Sequence, residues 1–200
     1  MRIGIMGGSF DPPHISHKAM IEDVLQRDLV DEVWVCPSFY HPEKKNQVSF
    51  EHRMKMCGLM FKGMFGCFKP KIKICDYEKY NRSGWICGLA WKLQDEFPNY
   101  TFKIIIGQDC ADNIKSWMNW SLLIQEFPFI VFKREDYINL KEFVEWYREK
   151  PHQIIYNREC WCSSTYVRDL IKKGFVNIAR MITINSRVFS YIHKHKLYGS

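Results

Sequence analysis

Six short apolar runs, at residues 2–6, 32–36, 72–75, 102–106, 129–132 and 153–156, alternate along the chain with stretches of helical spacing. The runs are rich in Ile, Val and Phe, and each reads as a strand buried on both faces. Between them, residues 15–27, 50–61, 85–96 and 140–149 repeat apolar side chains every three or four positions, as Met20, Ile21, Val24 and Leu25 do, which puts those side chains on one helical face. A strand, a helix and a strand in succession join by right-handed crossovers onto a parallel sheet covered on both sides. The expected fold is therefore α/β, a doubly wound parallel sheet that binds its ligands at the carboxyl ends of the strands. Beyond the sheet the chain is more helical. Residues 163–173 stop at Gly174, and residues 185–193 align Val188, Phe189 and Ile192, so a small helical C-terminal part is expected. Phe97, Pro98 and Asn99 punctuate a helix-to-strand step, and residues 37–48 read as a long polar loop.

Composition narrows the class further. At 200 residues the chain fits a single domain spanning residues 1–200, with no repeat or linker to divide it. Hydrophobic residues at 46% and charged residues at 26% exclude a disordered chain. No stretch approaches the roughly 20 apolar residues of a membrane span, and the chain opens directly on a strand, so a cytoplasmic protein without membrane partners is expected. The eight cysteines are scattered through a domain large enough to need no staples, and they read as reduced thiols. Cys160 and Cys162 flank Trp161 with no second pair at zinc spacing, so no protein-held metal is expected. The net charge of +7 suits nucleic acid or phosphorylated small molecules alike. Only Lys194, His195 and Lys196 cluster, and nucleic acid is not expected as the partner.

The chemistry concentrates in two segments. Directly after the first strand come Gly7, Gly8, Ser9, Phe10, Asp11, Pro12, Pro13, His14, Ile15, Ser16 and His17. Glycines there let a backbone bend and a phosphate approach. His14 and His17, three apart at a helix start, can face one side above the positive end of the helix dipole and grip an anion together. The segment lacks the GxGxxG of dinucleotide folds, the lysine of a P-loop and the glutamate of a zinc hydrolase. The second segment, Cys162, Ser163, Ser164, Thr165, Tyr166, Val167 and Arg168, follows the last strand and opens another helix. Ser163 or Ser164 can cap it, its amides and hydroxyls suit phosphate oxygens, and Arg168 adds a forked cation one turn in.

Together the two segments resemble the nucleotidylyltransferase superfamily, in which a GxFDPxHxGH-like turn and an ISSTxxR-like helix start grip the triphosphate of ATP from two sides. The chain is most similar to the bacterial type of nicotinate mononucleotide adenylyltransferase, from Met1 to about Tyr198. Further matches are Ser49, Phe50, Glu51, His52 and Arg53; Ile106, Gly107, Gln108 and Asp109; Trp117 and Trp120; and the ending from Val188 to Tyr198. Ser16 stands where the family usually has glycine and Cys162 where it usually has isoleucine. Of the family's proline-proline-histidine-lysine loop, only Lys44 is carried over. The family's threonine-containing segment becomes Ser83, Gly84, Trp85 and Ile86.

The resemblance implies a Rossmann-like nucleotidylyltransferase fold and attack of the nicotinate mononucleotide phosphate on the α-phosphorus of ATP, giving nicotinate adenine dinucleotide and pyrophosphate. Positioning and charge neutralisation would supply most of the rate. It implies catalytic roles for His14, His17 and Arg168, and ATP contacts from Gly8, Ser9, Phe10, Lys44, Gly107, Asp109, Ser163, Ser164 and Thr165. Trp85, Ile86, Trp117 and Arg134 would receive the mononucleotide, a tryptophan face being attractive to its cationic pyridine ring. Mg²⁺ would arrive with ATP. Nicotinamide mononucleotide as a second substrate and a homo-oligomer are both left open. Two rivals stand. One is pantetheine-phosphate adenylyltransferase, which is shorter and usually has threonine at the position of His14. The other is a nucleotide- or RNA-binding module without catalysis.

Overall fold

The computed structural model describes residues 1–40, 46–61, 71–81, 83–133, 146–157 and 161–199. Six strands form one sheet: β1 (Arg2–Gly8), β2 (Glu32–Pro37), β3 (Ile72–Ile74), β4 (Thr101–Gly107), β5 (Phe129–Lys133) and β6 (Gln153–Tyr156). Their spatial order is β3-β2-β1-β4-β5-β6 and every pairing is parallel. All six runs expected from sequence are strands, and the doubly wound topology holds.

Alternation along the strands explains the two-sided burial. Met6, Val33, Val35, Ile105, Ile130 and Phe132 enter the core on one face of the sheet, beneath helices α1 (Ile15–Gln26), α2 (Phe50–Phe61), α6 (Ser164–Lys172) and α8 (Ser186–Lys194). Ile3, Ile5, Trp34, Phe102, Ile104, Phe129 and Val131 enter the core on the other, beneath α3 (Ile86–Glu96), α4 (Gln108–Asp112) and α5 (Trp120–Glu126). Side chains of period two on a sheet covered from both sides give these mostly apolar runs.

α1, α2, α3, α6 and α8 all lie where helical periodicity places them, with ends shifted by at most one residue because Trp85, Ser163 and Asn185 are N-caps rather than first helical residues. The stop at Gly174 is a Schellman motif: Gly174 takes φ +76°, its N–H reaches Ile171 O at 3.0 Å, and Phe175 N–H reaches Leu170 O at 2.9 Å. α4, α5 and α7 (Val176–Ile182) were not legible beforehand, being five to seven residues long and so too short to establish a period. The expected helix at 140–149 falls mostly outside the described residues. Its described end, Trp146–Arg148, is a single 3₁₀ turn, and Trp117 follows another such turn, Ile114–Ser116, in extended conformation. Among the described residues no helix is long and apolar enough to cross a membrane.

The chain leaves β3 at one edge and returns to β4 beside β1, so the carboxyl ends of β1 and β4 diverge into a crevice at the reversal of strand order. Both sequence segments lead to it.

Candidate nucleotide site

A cleft of about 380 Å³ opens at that crevice. Four helix starts meet its wall, carried by Ser16 and His17 of α1, Trp85 and Ile86 of α3, Gln108 of α4, and Ser163 and Ser164 of α6. Each brings the positive end of a helix dipole to the cleft, which suits a polyanion.

β1 runs through Gly7 and Gly8, which still pair with Cys36 and Pro37. The bend expected at the glycines comes later, at Phe10, whose φ is +50°. A left-handed phenylalanine costs about 1–2 kcal/mol, and burial offsets it: the ring is 1% exposed and lies 4.7 Å from the His17 ring. His14 is the N-cap of α1 and His17 its third residue. The rings are 3.8 Å apart, as the spacing required. The backbone N–H of His14 donates to His17 Nδ1 at 3.2 Å, which makes Nδ1 an acceptor and leaves Nε2 to carry the proton. His17 keeps some contact with solvent through the cleft, yet protein surrounds it so closely that burial pushes its pKa down to about 3. It is a neutral N–H donor at neutral pH.

The second segment is bolted to the first. Ser164 Oγ donates to Pro12 O at 2.8 Å, Arg168 donates to Asp11 O at 2.7 Å and to Thr165 Oγ1 at 3.1 Å, and Cys162 N–H donates to Ser16 Oγ at 2.9 Å. Two of the departures from the family pattern, Ser16 and Cys162, thus meet, through the Ser16 hydroxyl and the Cys162 backbone N–H. These bonds correct the expectation of an open hydroxyl at Ser164, which donates its proton to Pro12. Ser163 caps α6 by accepting from Tyr166 N–H at 3.1 Å, and Thr165 accepts from Arg168, so both hydroxyls keep their protons to donate.

Of the expected ATP contacts, Gly8, Ser9, Phe10, Gly107, Asp109, Ser163 and Ser164 line the cleft with both histidines. Thr165 and Arg168 are not among the lining residues, and Arg168 is held to Asp11 and Thr165 by the bonds above. Trp85, Ile86 and Trp117 line the opposite part, and all three also pack on the core beneath α3 and α4, so each tryptophan serves core and cleft at once. Lys44 and Arg134 lie outside the described residues.

Sequence reasoning missed three groups. Arg53, 2% exposed, donates to Ser9 O at 2.8 Å, Ser38 O at 2.7 Å and Val48 O at 3.0 Å, holding the phosphate turn, the end of β2 and the approach to α2 together. Burial lowers its pKa, opposed chiefly by Asp11. Tyr198, at φ +60°, donates to Asp11 Oδ1 at 2.6 Å. Glu78, 4% exposed, lines the cleft. The only advance signal for Arg53 was its place in the Ser49–Arg53 match, and an isolated acid such as Glu78 gave none.

The fold and cleft define a nucleotide-handling α/β transferase, and the chain belongs to the cytidylyltransferase-like family, which matches residues 5–170. Two relatives, each named "Probable nicotinate-nucleotide adenylyltransferase", are 33% identical over 138 residues (67% of this chain, 68% of the relative; Salinibacter ruber) and 29% identical over 199 residues (98% and 96%; Oceanobacillus iheyensis). The solved structure of Plasmodium falciparum nicotinic acid mononucleotide adenylyltransferase complexed with NaAD superposes with a TM-score of 0.84 at 25% identity, covering 98% of this chain and 97% of that one. Within the family, the chain is a member of the nicotinate-nucleotide adenylyltransferases.

Proposed function

We propose that the chain transfers the adenylyl group of ATP to nicotinate mononucleotide, forming nicotinate adenine dinucleotide and pyrophosphate. The observation that carries this reading is the paired His14 and His17 rings, 3.8 Å apart at the start of α1, lining one cleft together with the adjoining Ser163–Ser164 helix start. ATP phosphates fit against these two joined helix starts. An oxygen of the mononucleotide phosphate attacks the α-phosphorus, the bond between the α-phosphorus and the α,β-bridging oxygen breaks, and its electron pair leaves on that oxygen as part of pyrophosphate. His17 donates from Nε2 to the phosphate oxygens as charge grows on them, and Arg168 stabilises the departing pyrophosphate. Asp109 accepts from the ATP ribose. Lys44 and Arg134 belong to the same reading.

Trp85 and Trp117 offer indole faces to the cationic pyridine ring. The Trp85 amide already donates to Ser83 Oγ at 3.1 Å, so the first turn of α3, from Ile86 onward, is the source of donors for the nicotinate carboxylate. Mg²⁺ enters as part of the substrate and neutralises triphosphate charge. Among the described residues no group of three His, Cys, Asp or Glu forms a cage for it, and imidazole and amide donors suit phosphate oxygens rather than a hard cation.

ATP labelled at the α-phosphate tests the route. The label should appear wholly in the dinucleotide, with β-label in pyrophosphate. Label retained on the protein, or released as free AMP without acceptor, contradicts direct transfer.

A further inference from the structure

Glu78 is buried, yet it lines the cleft rather than the core. It lies in a 3₁₀ turn, Tyr77–Tyr80, between β3 and α3. Burial pushes its pKa up to about 7, against the hydrogen bond from Asn81 that pulls it down. A carboxyl held at that cost is expected to have a use, because an apolar residue of similar size would be more stable there.

The hydrogen bonds around it run in one direction. Asn81 Nδ2 donates to Glu78 Oε2 at 3.1 Å and to Trp85 O at 2.9 Å, Ser83 Oγ donates to Asn81 Oδ1 at 2.7 Å, and Trp85 N–H donates to Ser83 Oγ at 3.1 Å. The bond to a backbone carbonyl, which only accepts, fixes which end of the Asn81 amide is nitrogen and hence that Glu78 is an acceptor. Gly84, at φ +66°, turns the chain inside this loop. Gly88 of α3 makes room for it, since a Cβ there would stand 2.5 Å from Ser83 Oγ and 2.6 Å from Asn81 Oδ1. Both flanks of the loop, Glu78 on one side and Gly84, Trp85 and Ile86 on the other, line the cleft.

We infer that Glu78 is a positioning residue for the acceptor end of the cleft: through Asn81 and Ser83 it sets the orientation of the Trp85 peptide and the start of α3. It does so without touching the reacting phosphates, which lie with His14, His17 and α6. This rests on the reading of Trp85 and α3 as the acceptor side. The bond to Asn81 is strongest when Glu78 is ionised, and a cationic pyridine ring entering the cleft favours that form.

The test compares the full-length chain with the variants Glu78→Ala, Glu78→Gln and Ser83→Ala. Glu78→Ala and Ser83→Ala should raise KM for nicotinate mononucleotide by about tenfold, with KM for ATP and kcat little changed. Glu78→Gln, which still offers an oxygen to Asn81, should recover most of the loss. Hydrogen exchange of the peptide covering residues 81–88, measured without substrates, should quicken in Glu78→Ala and not in Glu78→Gln. Equal increases in both KM values, or wild-type KM and exchange in Glu78→Ala, overturn the inference. If the wild-type chain does not use nicotinate mononucleotide, the functional reading fails instead, and the exchange contrast still decides whether Glu78 sets the loop.

Discussion

Replacing Arg53 with methionine keeps a long, linear side chain but removes the guanidinium that joins three segments of the cleft. Its three hydrogen bonds end on backbone carbonyls at Ser9, Val48 and Ser38. A hydrogen bond to a charged group contributes about 1.5–3 kcal/mol, and a stranded buried carbonyl costs about 1–3 kcal/mol. The contributions are not additive, and the variant also escapes the desolvation that lowers the arginine pKa, so the net loss is about 3–5 kcal/mol. For a chain of this size each kcal/mol moves Tm by roughly 2–4 °C, which places the fall at roughly 6–20 °C. Because Ser9 and Ser38 both line the cleft, KM for ATP should rise in the protein that remains folded. Arg53→Lys, a point charge without the fork, should recover only part of either effect. Thermal and urea unfolding with steady-state kinetics supply the assay. A methionine variant within about 2 °C of wild type and with unchanged KM for ATP would refute the idea that Arg53 clamps the site.

His17→Ala should lower kcat by about 100- to 1000-fold while costing only about 1 kcal/mol of stability, the value of the cap it gives the His14 amide; turnover near wild type would remove His17 from the mechanism. His17 also gives a pH signature. Its folded pKa, about 3, lies below the unfolded value, so the unfolded chain binds the extra proton and the stability is present above about pH 6.5 and lost as pH falls. The wild type should therefore lose about 1.4 kcal/mol per pH unit relative to His17→Gln between about pH 6 and 4, and parallel stability curves from denaturant titrations would contradict the buried neutral imidazole. Tyr198→Phe removes the donor to the buried Asp11 carboxylate and should destabilise by about 1.5–3 kcal/mol; an unchanged urea midpoint would show that Asp11 has no need of it.

The central strands were readable because burial on both faces makes them almost wholly apolar, as in β5, where all five residues of Phe129–Lys133 are buried. β3 and β6 at the sheet edges are more exposed and were readable from their short apolar runs alone. Pairing of His14 with His17 was readable because helical geometry alone brings residues three apart together. The bend at Phe10 was not, since a left-handed phenylalanine is tolerated only through contacts with His17 and Phe61 that no local rule supplies. Nor was the commitment of the Ser164 hydroxyl to Pro12, a partner 152 residues away. Glu78 sits in a polar stretch, Asp76 to Lys79, that reads as surface, and only the packing of β2, α3 and the cleft wall around it makes it a buried acid.

The central claim, adenylyl transfer to nicotinate mononucleotide, is tested most directly by pyrophosphate release from Mg²⁺-ATP with nicotinate mononucleotide, nicotinamide mononucleotide and 4′-phosphopantetheine offered in parallel. The account predicts turnover with nicotinate mononucleotide, with the nicotinamide compound slower. Turnover with phosphopantetheine alone would place the chain on another branch of the same fold, and no release with any acceptor while ATP still binds would contradict catalysis itself.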